Sequence, residues 1–303
     1  MISSKYRFNK TSFYAIVLAP IFFIYAYILV TPYVEGDQYY YRLFYSSLAD
    51  TRITDVIPLA VQKIGAVEPL SIYILWAGAN LGIEKDIYIS LLNVILLTSL
   101  FLFCRKNYVG PIPLFLLLTN YYIIVLMTGA ERLKIAYIII LWATLYTGNK
   151  ARLFLVSSGL AHFQNIIMLP SLLLANYSES MRRLLKAGKF KLRFMFTIIL
   201  MILFALVFFG IFNEVIIKKV LATMTNDARD TGLTNLIFLS TVGVIATRNR
   251  WRMILLLLPM FLAVSLLGGQ RVNMIAVTLV LYILITERRL NHPFVLLLLF
   301  YFS

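Results

Sequence analysis

The stretch VEPLSIYIL, residues 67–75, decides how the chain is interpreted. A carboxylate is followed by a proline and then by a continuous apolar run. Proline is tolerated in the first turn of a helix, and an acidic side chain there complements the positive end of the helix dipole. The stretch therefore predicts a helix that begins at Pro69 and enters an apolar environment, with Glu68 at the boundary with water.

The composition extends this interpretation to the whole chain. Of its 303 residues, 61% are hydrophobic and 14% are charged, and the mean hydropathy is +0.86. Apolar runs of about 15 to 20 residues recur from end to end, close to the length that crosses a bilayer core of roughly 30 Å. We predict an all-α polytopic integral membrane protein with one transmembrane domain, residues 1–303. It would contain about 9–11 transmembrane helices plus re-entrant or interfacial helices.

The positive charge is a topology signal. The net charge is +15, and eighteen of the 28 basic residues lie in six short clusters between apolar runs. These clusters are Lys5/Arg7/Lys10, Arg105/Lys106, Lys150/Arg152, residues 182–193, Arg248/Arg250/Arg252 and Arg288/Arg289. Lysine and arginine in short loops mark the cytoplasmic face. We therefore expect a cytoplasmic N-terminus with an uncleaved signal anchor, and no nucleic-acid partner, because the basic residues lie between spans rather than on one soluble surface.

The same charge pattern assigns the segments to two faces. An external loop, residues 31–86, is expected to contain an interfacial helix at 37–48 and a re-entrant helix at 69–83, and a second external loop covers 213–232. The remaining apolar runs are expected to cross the membrane. They are residues 13–30, 87–104, 111–128, 132–147, 194–212, 233–247, 253–268 and 271–286, with 153–177 crossing once or twice around a polar break at 161–165.

Several site types are excluded by composition. One cysteine and two histidines cannot form an internal disulfide or a multi-histidine or multi-cysteine metal site. No phosphate-binding glycine loop, zinc-ligand spacing or serine nucleophile elbow occurs in the sequence. We predict no cofactor and no metal.

Two arginines are candidates for phosphate binding. Arg132 and Arg271 each begin an apolar run directly after a tight turn that contains glycine. Such an arginine is able to present its planar guanidinium to a phosphate beside the exposed N–H groups of a helix start, and two of them suit a diphosphate. The alternatives are snorkelling to the interface or, for Arg132, pairing with Glu131. Gln270, next to Arg271, is a candidate substrate contact.

Three further residues are candidates for proton transfer. His162 stands with Gln164 in an otherwise apolar segment, and a neutral imidazole is able to accept a proton from a hydroxyl near neutral pH. Gln164 is a candidate substrate contact, and the alternative for His162 is a histidine that only links helices. Asp37 and Glu68 lie in the external loop, where either is able to orient or deprotonate a sugar hydroxyl. Their alternatives are helix capping and loop solvation.

The tyrosine-rich start of the external loop suggests a further contact. In the segment after Asp37, Tyr41, Phe44, Tyr45 and Leu48 recur at helical spacing, so an amphipathic helix is expected at the membrane interface. Tyr40 and Tyr41 serve there as aromatic anchors or, in the second interpretation, as a surface that stacks on sugars.

The order of these motifs carries a resemblance to a known family. The motifs are Gly36-Asp37 with the following tyrosines, Glu68-Pro69 at a helix start, Arg132-Leu133-Lys134-Ile135-Ala136, Ala161-His162-Phe163, and Arg271 at a late span. This order resembles the EpsG/Wzy family of bacterial polysaccharide (O-antigen) polymerases. The resemblance extends over about positions 36 to 286.

The resemblance implies a metal-independent membrane glycosyltransferase, and a GT-C-like fold is one option. It would join undecaprenyl-diphosphate-linked oligosaccharide repeats into O-antigen or a related surface polysaccharide at the periplasmic face of the inner membrane. Arg132 and Arg271 would stabilise the leaving diphosphate, and His162, Glu68 or Asp37 would activate the acceptor. The implied partners are the lipid-linked donor and acceptor, the lipid bilayer, a chain-length regulator and a flippase. The alternatives are a flippase or transporter of lipid-linked glycan, and an O-antigen ligase-like enzyme or acyltransferase.

Overall fold

The computed structural model describes residues 10–146, 148–163, 165, 168–187, 195, 199, 210, 228–267 and 269–303. All regular secondary structure in these residues is helical. The predicted all-α fold class is therefore confirmed for this part of the chain. Two predicted segments lie mostly outside the described residues. They are the span at 194–212, of which only 195, 199 and 210 are described, and the external loop at 213–232.

The chain forms two compact units. The first unit is Met1–Asn165 with Leu299–Ser303, and the second is Ile166–Leu298. The first contains α1 (Lys10–Val30), α2 (Asp37–Leu48), α3 (Val56–Ile64), α4 (Pro69–Asn80), α5 (Lys85–Lys106), α6 (Pro111–Leu118), α7 (Tyr121–Thr128), α8 (Glu131–Leu145) and α9 (Gly148–Ala161). The second contains α10 (Met168–Asn176), α11 (Ser178–Ala187), α12 (Ala228–Ala246), α13 (Arg250–Leu267), α14 (Gly269–Thr286) and most of α15 (Pro293–Tyr301).

Two described helices are long and apolar enough to cross a membrane. They are Phe13–Val30 within α1 and the whole of α5, both with a mean hydropathy of 2.3. The pair α6 and α7 passes the same test when it is counted as one broken span. The described part of the chain thus holds two candidate spans, or three with the broken pair, and the larger number of crossings stays a prediction.

The predicted span at 111–128 is broken in the middle. Its two halves, α6 and α7, meet at an angle of 46°. The break falls at Thr119 and Asn120, and the Asn120 side chain accepts a hydrogen bond from the Tyr122 N–H at 3.0 Å. Asparagine is favoured as an N-cap because its side chain satisfies a free N–H of the first turn. The polar pair therefore starts a new helix where a continuous one was predicted.

The predicted interfacial helix is present as α2. The side chains at helical spacing (Tyr41, Phe44, Tyr45 and Leu48) are buried, whereas Tyr40 is exposed. The buried face packs against α3, α4 and α5. The amphipathic pattern of this segment is thereby confirmed, and its predicted position at a membrane interface stays a prediction.

Helix α4 begins where the opening stretch predicts. Pro69 is its first residue, and Glu68 is the extended N-cap residue before it. With 12 residues, α4 is about 18 Å long, which is shorter than a bilayer core. It packs closely on α5, because a Cβ at Gly78 would lie 2.6 Å from the Tyr88 ring.

The starts of α4 and α8 and the end of α9 lie in one region of the first unit. Helix α8 begins at Glu131 directly after the predicted tight turn, and it packs against α9, α5 and α4. Helix α9 ends at Ala161 and the next described helix begins at Met168, so the predicted polar break is present. Each of these helix ends carries a candidate polar residue.

Candidate functional site

A cluster of three polar side chains forms where α4, α8 and α9 meet. Glu68 is the N-cap residue of α4, Arg132 is in the first turn of α8, and His162 directly follows α9. Glu68 and His162 are 5% and 7% exposed, and the Arg132 side chain is 16% exposed. Buried charges need partners, and in this cluster they provide them for one another.

The Glu68 carboxylate bridges the other two side chains. Its Oε2 accepts a hydrogen bond from Arg132 Nη1 at 2.5 Å and one from the Val67 N–H at 3.1 Å. Its Oε1 lies 3.0 Å from His162 Nδ1. Arg132 Nε donates to the Tyr41 hydroxyl at 2.8 Å. The guanidinium and the imidazole are thus both held by the same carboxylate.

Glu68 is held in its ionised form. Burial raises the pKa of this carboxyl, but the hydrogen bond from His162 and the positive charge of Arg132 outweigh burial and lower the pKa to about 2. An ionised carboxylate only accepts hydrogen bonds, so Nδ1 of His162 must carry the proton in this contact. In the neutral ring, Nε2 is then the basic nitrogen.

A second buried charge cluster lies beside the first and centres on Glu131. The Glu131 carboxylate lies 2.9 Å from Lys134 Nζ and 3.6 Å from Lys85 Nζ, and it accepts a hydrogen bond from Gln38 Nε2 at 2.9 Å. Lys134 Nζ also donates to the Met127 carbonyl oxygen at 2.8 Å. Gln38 additionally bonds to the Thr128 carbonyl oxygen and accepts from Lys85 Nζ. This cluster joins the start of α8 to α2, α5 and the end of α7.

The structure excludes one alternative for Arg132, and phosphate binding by this residue stays a prediction. The alternative that Arg132 pairs with Glu131 is wrong, because neighbouring residues on a helix point about 100° apart. Glu131 turns towards Lys134 and Lys85, whereas Arg132 turns towards Glu68.

The remaining predicted residues fall at different places. Asp37 is exposed as the first residue of α2, and its negative charge acts on the Tyr41 hydroxyl. Tyr40 is 57% exposed. Gln164 lies outside the described residues, and so do the side chains of Gln270 and Arg271, whose backbone forms the first turn of α14.

One of the predicted substrate contacts needs correction. Tyr41 does not offer a surface for stacking on sugars, because its side chain is buried at 7% exposure. Its hydroxyl instead accepts the hydrogen bond from Arg132 Nε. Tyr41 belongs to the predicted apolar stripe of α2, and the structure packs that stripe against neighbouring helices instead of leaving it open to a sugar.

Sequence reasoning missed the Glu131 cluster. The available signal was the spacing of Glu131 and Lys134, which are three residues apart and therefore neighbours on one helix face. A lysine within an apolar helix needs such a partner. For Gln38 and Lys85 the sequence holds no comparable signal, because their partners are about 90 and 50 residues away.

No metal-binding group is found in the described residues, since no three or more histidine, cysteine, aspartate or glutamate side chains are suitably grouped there. Comparison of the chain with protein-family models, with curated proteins and with solved structures finds no match.

Proposed function

We propose that the protein is a membrane glycosyltransferase of the Wzy type. It would join undecaprenyl-diphosphate-linked oligosaccharide repeats into O-antigen or a related surface polysaccharide at the periplasmic face of a bacterial inner membrane. The observation that supports this proposal is the Glu68 carboxylate, which bridges an imidazole and a guanidinium. Such a pair combines a proton acceptor with a cation for a phosphate leaving group.

In the proposed reaction, His162 activates the acceptor. Nε2 takes the proton from a sugar hydroxyl of one lipid-linked repeat. The oxygen of that hydroxyl attacks the anomeric carbon of the growing chain at the same time. Glu68 accepts the hydrogen bond from Nδ1 of His162, so it orients the ring and stabilises the imidazolium that forms. Tyr41 and Arg132 keep Glu68 in place and are positioning groups for this step.

Arg132 also acts on the leaving group. The bond between the anomeric carbon and the carrier diphosphate breaks, and undecaprenyl diphosphate departs with the electron pair. The partly exposed guanidinium stabilises this developing negative charge, which is the type of interaction that usually contributes most to such catalysis. Arg271 is the proposed second cation, so arginine side chains supply the positive charge that stabilises the leaving diphosphate.

A location within the bilayer agrees with the lipid-linked substrates. The candidate spans support it, and α1 presents a row of exposed isoleucines, including Ile16, Ile21, Ile24 and Ile28. An apolar surface of this kind suits contact with lipid. A multi-pass topology with a cytoplasmic N-terminus, a flippase that supplies the repeats and a chain-length regulator belong to the same proposal.

The direct test uses the purified full-length protein and a synthetic lipid-linked repeat. The wild type should produce a ladder of longer lipid-linked products. His162→Gln should slow ladder growth by about 10² to 10⁴-fold, as is typical for the loss of a general base. Arg132→Ala should slow it by about 10²-fold or more. Arg105→Ala is the matched control, because it removes an exposed arginine at the end of α5. Wild-type ladders from both site variants would refute the proposal.

One observation favours a second candidate function, a flippase or transporter of lipid-linked glycan. The buried Glu131–Lys134–Lys85 cluster lies in apolar helices, where ionisable groups commonly mark transport paths. Cells that lack a flippase accumulate inward-facing lipid-linked repeats, whereas cells that lack a polymerase carry single repeats at the surface. A ligase-like enzyme would instead consume a lipid A core acceptor.

A further inference from the structure

A basic cavity lies in the second unit, whereas the residues of the Glu68 cluster belong to the first unit. Its volume is about 1090 Å³, and it opens at the turn between α12 and α13 and at the turn between α14 and α15. Polar and aromatic side chains in its lining include Arg182, Arg248, Arg250, Trp251, Arg289 and His292. Four arginines in one cavity make a strongly positive site.

One carboxylate, that of Glu287, contacts two residues of the cavity lining. Glu287 accepts hydrogen bonds from Thr247 Oγ1 at 2.8 Å and from the Arg248 N–H at 2.7 Å, and it lies 4.0 Å from Arg252. It therefore fixes the backbone of the turn between α12 and α13. Among the described residues, no carboxylate forms an ion pair with any of the four cavity arginines.

Three buried polar nitrogens of the cavity residues have no hydrogen-bond partner among the residues that the structure describes. They are Trp251 Nε1, Arg289 Nε and His292 Nδ1. A buried polar nitrogen without a hydrogen bond is costly, so a group of three in one lining requires an explanation. A ligand with several acceptor oxygens and negative charge would satisfy these nitrogens and the arginines together, and phosphate has that chemistry.

The cavity also has an apolar edge. Ile245 and Ile254 line it and are 46% and 43% exposed. The arginines belong to the clusters that Lys/Arg enrichment assigns to the cytoplasmic face, where basic pockets between helices bind anionic lipid headgroups. Tryptophan is enriched at the same depth of a membrane. An amphiphilic phosphate therefore fits this cavity better than a soluble one.

We propose that this cavity binds an anionic phospholipid of the cytoplasmic leaflet. The headgroup phosphate lies among Arg248, Arg250 and Arg289, and the acyl chains leave along Ile245 and Ile254. Trp251 Nε1 donates to a phosphate oxygen. The site is separate from the proposed transferase chemistry and holds whether or not the protein is a polymerase.

The test titrates three probes into the delipidated full-length protein in detergent. These are phosphatidylglycerol, phosphatidylcholine with the same acyl chains, and inorganic phosphate. Bound lipid is counted by native mass spectrometry, and thermal stability is recorded in parallel. Phosphatidylglycerol should bind and stabilise, whereas phosphatidylcholine and phosphate should do neither.

Variants assign the binding to the cavity. The double variant Arg248→Gln/Arg289→Gln should bind phosphatidylglycerol more weakly than the wild type. Each substitution should weaken binding by about tenfold or more, because each removes a charged hydrogen bond. Arg105→Gln removes the same charge outside the cavity and should bind like the wild type. If the double variant does not fold, the exposed single change Arg248→Gln should weaken binding in the same direction.

Three results would overturn the proposal. One is equal binding of the two lipids. Another is equal binding to the cavity variants and to Arg105→Gln. The third is saturation or displacement of phosphatidylglycerol by inorganic phosphate, which would assign the cavity to a soluble anion.

Discussion

The Glu68 carboxylate is the residue on which the first cluster depends. Arg132 and His162 both bond to it, and the Tyr41 hydroxyl holds the other side of the guanidinium. Removing the negative charge would leave a mostly buried guanidinium without a carboxylate. Such a loss costs more than the pair itself contributes, because the remaining charge is desolvated and unpaired.

The lowered pKa of Glu68 makes a specific prediction for stability against pH. Because the folded pKa is about 2 and the ordinary value is 4.5, the unfolded state binds more protons than the folded state between these values. The contribution of Glu68 is thus fully present above about pH 4.5 and is lost as pH falls towards 2. Glu68→Gln should lower stability by about 1 to 3 kcal/mol at neutral pH, by an amount that stays constant down to about pH 5.

The measurement is the difference in apparent melting temperature between wild type and Glu68→Gln in detergent, from pH 7.5 downwards. Titration of groups that do not contact Glu68 largely cancels in this difference. The gap should narrow only below pH 4.5. A gap that already closes between pH 7.5 and 5 would show that Glu68 is not held ionised by its partners.

The sequence alone indicates the individual residues of this site but not their contacts. Glu68, Arg132 and His162 are predictable because each interrupts an apolar run at a helix end, where a polar residue is costly unless it has a role. The Glu68 carboxylate is able to bridge Arg132 and His162 because of the way in which α4, α8 and α9 pack. The contacts join residues 64 and 94 positions apart, which local spacing does not encode.

At the level of helices, the first turn of α8 directs its two charges to different clusters. Glu131 holds Lys134 and Lys85, and the next residue, Arg132, holds Glu68. The Glu131 cluster fixes the rotation of α8 about its axis. Through that rotation it also determines where the guanidinium of Arg132 lies.

The net charge of the Glu131 cluster predicts an asymmetry between two variants. Glu131→Gln leaves two buried lysines without their carboxylate, whereas Lys134→Met leaves Glu131 paired with Lys85. Glu131→Gln should therefore lower the free energy of unfolding by about 3 to 5 kcal/mol, and Lys134→Met by clearly less. Thermal unfolding of the two variants in the same detergent checks the order. Equal destabilisation, or a larger effect of Lys134→Met, would contradict this assignment.

Helix boundaries follow from sequence more reliably than helix continuity. Pro69, the turn before Glu131 and the break after Ala161 were predictable, because proline, glycine and polar clusters punctuate apolar runs. The break at Thr119 and Asn120 was missed, since two polar residues within an apolar stretch are compatible with a continuous span. The capping contact of Asn120 with the Tyr122 N–H decides the outcome and is visible only in the structure.

For the whole molecule, the distribution of charge predicts the orientation in the membrane. Basic clusters lie in the last turn of α5 and directly after α12, whereas the acidic residues 37, 68 and 131 stand at the starts of α2, α4 and α8. The positive-inside rule assigns the first set to the cytoplasm. The carboxylates that surround the candidate site then belong to the outer side, where lipid-linked repeats would be joined.

Single cysteines test this orientation in a Cys104→Ala background, which removes the sole native, buried thiol. Asp37→Cys, Ala130→Cys and Gly269→Cys should react with a membrane-impermeant maleimide added to cells with a permeabilised outer membrane. Arg105→Cys, which is exposed at the end of α5, is the matched inner position and should react only after the inner membrane is opened. Three of the four positions are expected on the periplasmic side and one on the cytoplasmic side. Poor reactivity of a single thiol therefore cannot be mistaken for an inverted topology. Protection of the first three with labelling at position 105 in unopened cells would place the candidate site in the cytoplasm, and transfer between periplasmic repeats would then be impossible.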